Sequence, residues 1–176
     1  MDQLIYERLF STRAYLVIQK SEALCHTCKY ESIKPIVLFL SMLIVEKEFI
    51  RDVIHSSNMD YASVCQKVEG KLNNISIVHK DAYTFSEESC NIITSLINNK
   101  TQNEAITIVD LLRELVTNDE ILDLIDNKRL NIPEQPEKNL VWNNLSGTFE
   151  ARVLSYYEHK IQSVVTDIPK MCGFCG

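Results

Sequence analysis

Apolar and small side chains recur at intervals of three and four residues from Ser11 to Cys25, which is the spacing of one helix face. Ser11 is a good N-cap residue, and Phe10 before it and Tyr15 after it are placed to form a hydrophobic staple. The pattern therefore predicts a first helix from about Ser11 to Cys25. Its inward positions are Ala14, Val17, Ile18, Ser21, Leu24 and Cys25.

The same arrangement begins again about 75 residues later, where Phe85-Ser86 matches Phe10-Ser11. Ser86 can cap a helix, and Val17-Ile18 of the first stripe corresponds to Ile92-Ile93 of the second. The second stripe consists of Ser89, Ile92, Ile93, Leu96 and Ile97. The recurrence predicts that the chain contains two copies of one helical motif.

The segments that follow these first helices also match, at an offset of about 72 residues. Pro35 suits the first position of a second helix, and Thr107 followed by Asp110 resembles a capping box. Polar breaks near Glu46-Lys47-Glu48 and at Asn118-Asp119 begin a third helix in each copy. The matched positions are Ile36, Val37, Phe39, Leu40, Leu43, Glu48, Phe49, Ile50 and Val53 in copy one, and Ile108, Val109, Leu111, Leu112, Leu115, Glu120, Ile121, Leu122 and Ile125 in copy two.

Copy one continues into a fourth predicted helix, Tyr61 to Leu72, with Asp60 as its N-cap. The corresponding part of copy two, residues 127–139, contains two prolines and has the pattern of a loop. A last helix is predicted from Phe149 to Val165, with its apolar residues again on one stripe.

Together these elements predict an all-α fold. A unit of three or four helices cannot bury its apolar faces alone, so the two copies are expected to pack together. We predict a pseudo-twofold bundle of two repeated three- to four-helix motifs over residues 1–127, then a loop, an additional C-terminal helix and a cysteine-containing tail over residues 128–176. The alternative is an unrelated helical protein, because apolar stripes look alike in any helix. The 4 Gly and 4 Pro are few for an all-β fold.

Charge and the N-terminal stretch bear on partners and compartment. The formal net charge is −6 and no basic run offsets it, so nucleic acid and anionic membranes are poor partners. Asp2, Glu7 and Arg8 interrupt the stretch that would be continuously apolar in a signal peptide. The longest apolar run, Ile36 to Val45, is about half a membrane span. We therefore expect a cytoplasmic protein with reduced cysteines.

Three segments of copy one and two of copy two carry a family resemblance. They are Phe10-Ser11-x-x-Ala14, Ile33 to Leu43 and Ile54 to Leu72, and then Phe85-Ser86 and Ile106 to Ile125. Together they resemble the double Clp repeat, which is the N-terminal domain of the ClpA, ClpB, ClpC and ClpV-type AAA+ unfoldases. The resemblance is one of pattern and extends from about Tyr6 to Asp126.

The resemblance implies a chaperone-associated domain that docks substrates, adaptors or, in type VI secretion, sheath proteins, and passes them to the unfoldase. Many family members carry Glu-His before the leucine run of the second helix, where this chain has Ile36-Val37 and Ile108-Val109. In some members that acidic position helps to recognise cationic tags on substrates, and the resemblance does not imply this mode of recognition here. No Walker sequence G-x-x-x-x-G-K-[ST] is present, so ATP hydrolysis by this chain is not expected. The chain is either part of a longer ATPase or a free-standing adaptor.

The apolar N-terminal stretch is the candidate wall of a groove for an apolar or amphipathic peptide. The predicted peptide-binding residues are Leu4, Tyr6, Leu9 and Phe10. The alternative is that these side chains simply close the hydrophobic core.

Two C-x-x-C pairs, Cys25/Cys28 and Cys172/Cys175, can supply the four thiolates of a structural zinc site that staples the tail to the first helix. The chain would then be a free-standing, zinc-stapled interaction protein, although no cofactor is required by the main prediction. Further alternatives are free cysteines and a thiol oxidoreductase that uses Cys172 and Cys175. None of the four histidines has the spacing H-E-x-x-H, and no catalytic set is found, so an enzyme is not predicted.

Overall fold

The computed structural model describes residues 9–78, 83–100 and 104–134. The chain divides into two units, residues 1–137 and 138–176, and every described residue belongs to the first unit. The predicted last helix, Phe149 to Val165, lies outside the described residues, as does the cysteine-containing tail. The domain limit drawn after Asn127 stays a prediction.

Copy one forms four helices, which are α1 (Thr12–Cys28), α2 (Pro35–Val45), α3 (Lys47–Ser56) and α4 (Tyr61–Leu72). Both predicted caps are present, because the Ser11 hydroxyl accepts from the backbone of Ala14 and the Asp60 carboxylate from the backbone of Ser63. The first helix runs to Cys28 rather than ending at Cys25 as predicted. It ends there because Lys29 adopts the left-handed conformation, with φ of 58°, that terminates helices.

Copy two forms α5 (Glu87–Asn98), α6 (Ile108–Leu115) and α7 (Asp119–Leu124). The Ser86 hydroxyl caps α5 and the Asn118 side chain caps α7, as their positions in the sequence predict. The capping box of α6 is complete, with Thr107 N–H to Asp110 Oδ2 at 2.8 Å and Asp110 N–H to Thr107 Oγ1 at 3.2 Å. Residues 128–134 contain no helix, in agreement with the predicted loop.

The core is built around α2, which is apolar on all sides. A helix of this kind is stable only when it is enclosed, and α2 contacts α1, α3 and α4 of its own copy as well as α6 and α7 of the other. Its one polar interior group, the hydroxyl of Ser41, donates to the carbonyl of Val37 at 2.8 Å. The fully enclosed side chains of α2 are Ile36, Val37, Leu38, Phe39 and Met42.

Two short backbone pairs, which we call the inter-copy bridges, join the copies. In each bridge, the lead segment of one copy, meaning the residues just before its first helix, pairs with the residues just before the second helix of the other copy. Phe10, just before α1, pairs in parallel with Ile106, just before α6. Phe85, just before α5, pairs in parallel with Ile33, just before α2. The first helix of each copy is thus tied to the second helix of the other.

The hydrogen bonds of the inter-copy bridges are reciprocal. Ser11 N–H donates to Ile106 O at 2.9 Å, and its counterpart Ser86 N–H donates to Ile33 O at 3.0 Å. In the opposite sense, Ile106 N–H donates to Leu9 O at 2.7 Å, and Ile33 N–H donates to Thr84 O at 2.9 Å. This reciprocity supports the pseudo-twofold arrangement, which itself stays a prediction.

Ion pairs also join the copies, along α4 and the end of α7. Lys67 Nζ lies 2.5 Å from Asp126 Oδ1, and Lys71 Nζ lies 3.0 Å from Asp123 Oδ2. The hydrogen bond from Lys67 lowers the pKa of Asp126. Because both pairs face water, each contributes little to stability.

Across residues 9–78, 83–100 and 104–134, no helix has both the length and the apolar character that crossing a membrane requires. The longest apolar run of the sequence, Ile36 to Val45, lies within α2, which has 11 residues.

Candidate docking site

The predicted docking wall begins immediately ahead of α1. Leu9 is partly exposed, and its carbonyl oxygen belongs to an inter-copy bridge. The Phe10 side chain is only 4% exposed and therefore lies in the core at the start of α1. Leu4 and Tyr6 lie outside the described residues, and the role of all four residues in peptide binding stays a prediction.

A bidentate ion pair fixes the first turn of α1 behind this wall. Arg13 Nε donates to Glu46 Oε1 at 2.8 Å, and its terminal nitrogen donates to Oε2. Glu46 marks the break between α2 and α3 and is 8% exposed, so its carboxylate has lost most of its water. A buried carboxylate needs such compensation, and the paired guanidinium supplies it. The pair therefore locks the start of α1, with Leu9 and Phe10, against the α2–α3 corner.

The far end of α1 carries Cys25 and Cys28. Being three residues apart on a helix, they lie on the same side of it. Cys25 is fully buried, and this burial, with smaller contributions from Cys28 and Glu22, raises the pKa of its thiol to about 12. A thiol with that pKa is protonated at neutral pH and unreactive, unless a bound metal ion displaces the proton.

The other two predicted zinc ligands, Cys172 and Cys175, lie outside the described residues. Within the described ranges, no group of three or more His, Cys, Asp and Glu side chains is placed to hold a metal ion. The shared zinc site and the alternative redox role of the tail cysteines both stay predictions. Metal analysis of the purified protein, with Cys25→Ser as the comparison, tests the zinc site directly.

The end of α1 also receives the segment that connects the two copies. The ring of Tyr83 meets the ring of His26 edge-on, with 6.2 Å between centroids. The Tyr83 hydroxyl donates to the carbonyl of Val78 at 3.4 Å. Just before this contact, Ile77 lies opposite Tyr30 in an antiparallel bridge, and the Ile77 side chain is 72% exposed. Among the large apolar side chains of the described residues, that of Ile77 is the most exposed.

Two solved structures share this arrangement of helices. The crystal structure of the Hsp104 N-terminal domain from Candida albicans matches with a TM-score of 0.60 and 14% identity, over 67% of this chain and 80% of that one. A chain from structural investigations of a malarial protein secretion system matches with a TM-score of 0.56 and 12% identity, over 68% and 84%. The fold is that of a Clp N-terminal domain. No protein-family model and no curated protein matches the sequence.

Within the Clp N-terminal fold, the structure corrects the register between the second helices. The N-cap residues Lys34 and Thr107 are 73 residues apart, one more than the offset read from the apolar pattern. The counterpart of Ile36-Val37 is therefore Val109-Asp110. The first of these positions is apolar in both copies.

The carboxylate of Asp110 in this Clp N-terminal fold has its partners within the domain and stabilises the start of α6. Besides the capping box, it lies 2.8 Å from Lys100 Nζ. Burial alone would raise the pKa of Asp110, but hydrogen bonds from Lys100 and Thr107 hold it below its usual value. Asp110 is therefore a structural anion at the start of α6.

The sequence reasoning did not identify Glu46 and Ile77 at the site, nor the buried position of Lys20 on α1. Lys20 lies on the inward stripe of α1, between Val17 and Leu24, so its burial could have been predicted from the spacing. The segment Ile75-Ser76-Ile77-Val78 is rich in β-branched residues, which is typical of a strand. Glu46 carried no signal beyond a break between helices, because its partner Arg13 is distant in the sequence.

Proposed function

We propose that this chain is a protein-docking domain that receives client segments, adaptors or sheath proteins for a Clp-type AAA+ unfoldase, and has no ATPase activity of its own. The observation that supports this most is the fold. The described helices have the fold of a Clp N-terminal domain, and the Hsp104 N-terminal domain from Candida albicans is one solved structure with a similar fold. The ATPase ring is supplied either by a longer chain or by a separate protein.

The construction of the domain supports a docking role. The reciprocal inter-copy bridges and the Arg13–Glu46 pair hold the start of α1 in one position, and a surface held in this way loses little conformational entropy when a partner binds. The titratable side chains whose pKa values are most strongly raised, Cys25 and Tyr61, owe the shift first to burial. The packing of helices therefore causes most of each shift, with smaller contributions from Cys28 and Glu22 to Cys25 and from Cys65 to Tyr61.

Binding of an unfolded polypeptide tests the proposal. The probe is a fluorescein-labelled globular protein, reduced and carboxymethylated so that it stays unfolded, with the same protein in its native form as the control. We expect the unfolded form to bind with a dissociation constant in the micromolar range, on the order typical of transient complexes, and the native form at least about tenfold more weakly. Equal binding of both forms, or binding of neither, would contradict a docking function for unfolded clients.

Two variants separate the docking wall from the core. Leu9→Ala alters a partly exposed side chain and should weaken probe binding while leaving the melting temperature nearly unchanged. Phe10→Ala empties a buried position and should cost about 3–5 kcal/mol of unfolding free energy. If Leu9→Ala lowers stability but not binding, Leu9 belongs to the core and the wall is wrongly placed.

A further inference from the structure

The connecting segment Ser76–Val78 forms one side of a two-stranded antiparallel pair with Lys29–Glu31. Glu31 N–H donates to Ser76 O at 3.1 Å, and Val78 N–H donates to Lys29 O at 2.7 Å. These two bonds flank the pair Tyr30–Ile77, which is therefore a non-hydrogen-bonded pair. In this geometry the N–H and C=O of Ile77 point away from the neighbouring strand. We call this outward side the Ile77 edge.

The Ile77 edge presents a donor, an acceptor and an apolar side chain together. Over the residues that the structure describes, neither the N–H nor the C=O of Ile77 forms a hydrogen bond. The Ile77 side chain is 72% exposed and that of Val78 is 38% exposed, and these are the large apolar side chains most open to water in the described ranges. An uncovered strand edge with exposed aliphatic groups is a template for pairing with another strand.

The backbone groups indicate which kind of molecule fits. One residue of an antiparallel extended chain can exchange both hydrogen bonds with Ile77, since the donor and acceptor of a single strand residue point the same way. The sequence Ile75 to Val78 carries no charge, so a segment of uncharged, β-branched side chains meets neither attraction nor repulsion there. The chemistry of the edge therefore matches an extended apolar peptide.

The size of the edge distinguishes a client from a second copy of this chain. An edge of three residues covers a few hundred Å² at most, whereas a stable complex of two folded proteins buries about 1,200 Å² or more. A symmetric dimer built on this edge would be too small to persist. A short extended segment that binds and leaves is consistent with the available area.

We propose that the Ile77 edge binds an extended, uncharged segment of a client polypeptide by adding it as a β-strand. The proposal rests on the docking function proposed above and names how one part of the client is recognised. Because main-chain bonds carry the contact, recognition depends on an extended backbone more than on a particular sequence. Such a surface suits a domain that meets many unfolded clients.

The test uses the whole chain and a labelled peptide of about eight residues, with alternating valine and threonine and a lysine at each end. Ile77→Pro removes the outward N–H and keeps both hydrogen bonds that flank the Tyr30–Ile77 pair, and proline is tolerated at strand edges. Ile77→Thr is the matched control, since it keeps the N–H and the β-branched shape. We expect Ile77→Pro to weaken peptide binding by about tenfold or more and Ile77→Thr by less than about threefold.

A modified peptide gives a second measurement that needs no variant. A fully N-methylated peptide with the same side chains cannot donate backbone hydrogen bonds, and it should bind the unaltered protein at least about tenfold more weakly than its parent. Unchanged binding of either the Ile77→Pro variant or the N-methylated peptide would overturn strand addition. Sedimentation that shows a dimer dissolved by Ile77→Pro would also overturn it, because the occupant would then be a second copy.

Failure of this proposal can be told apart from failure of the docking function. If the unfolded probe binds but is insensitive to Ile77→Pro, the chain docks clients at another surface and only the Ile77 edge is refuted. If neither the probe nor the peptide binds, the docking function itself is refuted.

Discussion

Lys20 combines a charged group with an interior position in the inward stripe of α1. Its side chain is only 4% exposed. Burial lowers its pKa from the ordinary value of 10.5, and the nearby Cys28 opposes this shift in part. A buried ammonium group costs free energy that an apolar side chain of similar length does not. Lys20 is therefore a local weakness in an otherwise apolar interface.

Lys20→Met should raise the free energy of unfolding at neutral pH by about 1 kcal/mol, since methionine fills similar space without a charge. The pH dependence has a definite sign. Because the folded-state pKa lies below 10.5, the native protein loses stability as pH falls from 10.5 through the lowered folded value, and the variant lacks this loss. Urea denaturation at pH 7 and above pH 10 measures both effects.

Gln19→Met is the matched control for the lysine variant, because Gln19 is exposed on the same helix. It should change stability by no more than about 0.5 kcal/mol. If Lys20→Met destabilises the protein, the ammonium group makes a favourable interaction and is not a weakness.

The cysteines differ in accessibility, and alkylation can read this out. Cys25 is buried with a thiol pKa near 12, and Cys90 is exposed on α5. We expect iodoacetamide at pH 8 to modify Cys90 within minutes and to leave Cys25 unmodified until the protein is unfolded in urea, as followed by peptide mass spectrometry. Rapid modification of Cys25 in the native protein would show that the end of α1 opens readily.

At the scale of the element, the capping box of α6 is the clearest local device. Thr107→Ala should cost about 1 kcal/mol, because the backbone N–H of Asp110 loses its acceptor, and Thr107→Ser should cost only a few tenths. The pKa of Asp110 is lowered in the folded state, so its contribution is present above its ordinary pKa of 3.8 and is lost as pH falls through the folded value. Asp110→Asn should remove that acid sensitivity, which thermal melts between pH 2 and 7 would reveal.

Element boundaries were predictable where a side chain sets them. Ser11, Asp60, Ser86, Thr107 and Asn118 each begin a helix at the predicted place, because a cap acts within a few residues of itself. The end of α1 could not be predicted in the same way. Glycine usually marks such an end, but here Lys29 adopts the left-handed conformation instead. The Ile77 edge was not anticipated either, since its exposure depends on how the connecting segment lies against Tyr30.

At the scale of the whole molecule, the inter-copy bridges should make the two copies one cooperative unit. Ile33→Pro and Ile106→Pro each remove a bridge N–H and a fully buried side chain. We expect each to cost about 3 kcal/mol or more, by similar amounts, with a single unfolding transition in urea. Ile77→Pro is the control, because its N–H forms no bond within the described residues.

A large difference between the Ile33 and Ile106 variants would argue against the pseudo-twofold arrangement, and two separate transitions would argue against cooperativity. The apolar stripes predicted that two copies exist and that they pack together. They could not predict which lead segment pairs with which helix, because that pairing joins residues far apart in the sequence. The bridge residues Ile33 and Ile106 are 73 residues apart, which is the same offset as that between the N-cap residues of the two second helices.

The inter-copy bridges also determine when each copy can complete its folding during synthesis on the ribosome. The carbonyl of Leu9 has no hydrogen-bond partner in its bridge until the amide of Ile106, about 100 residues later in the chain, has been made. Copy one is synthesised in full before its own lead segment has a partner, so the newly made half carries an open backbone and exposed apolar surface until α6 emerges. A domain proposed to receive unfolded chains is thus, for much of its own synthesis, a client of the same kind.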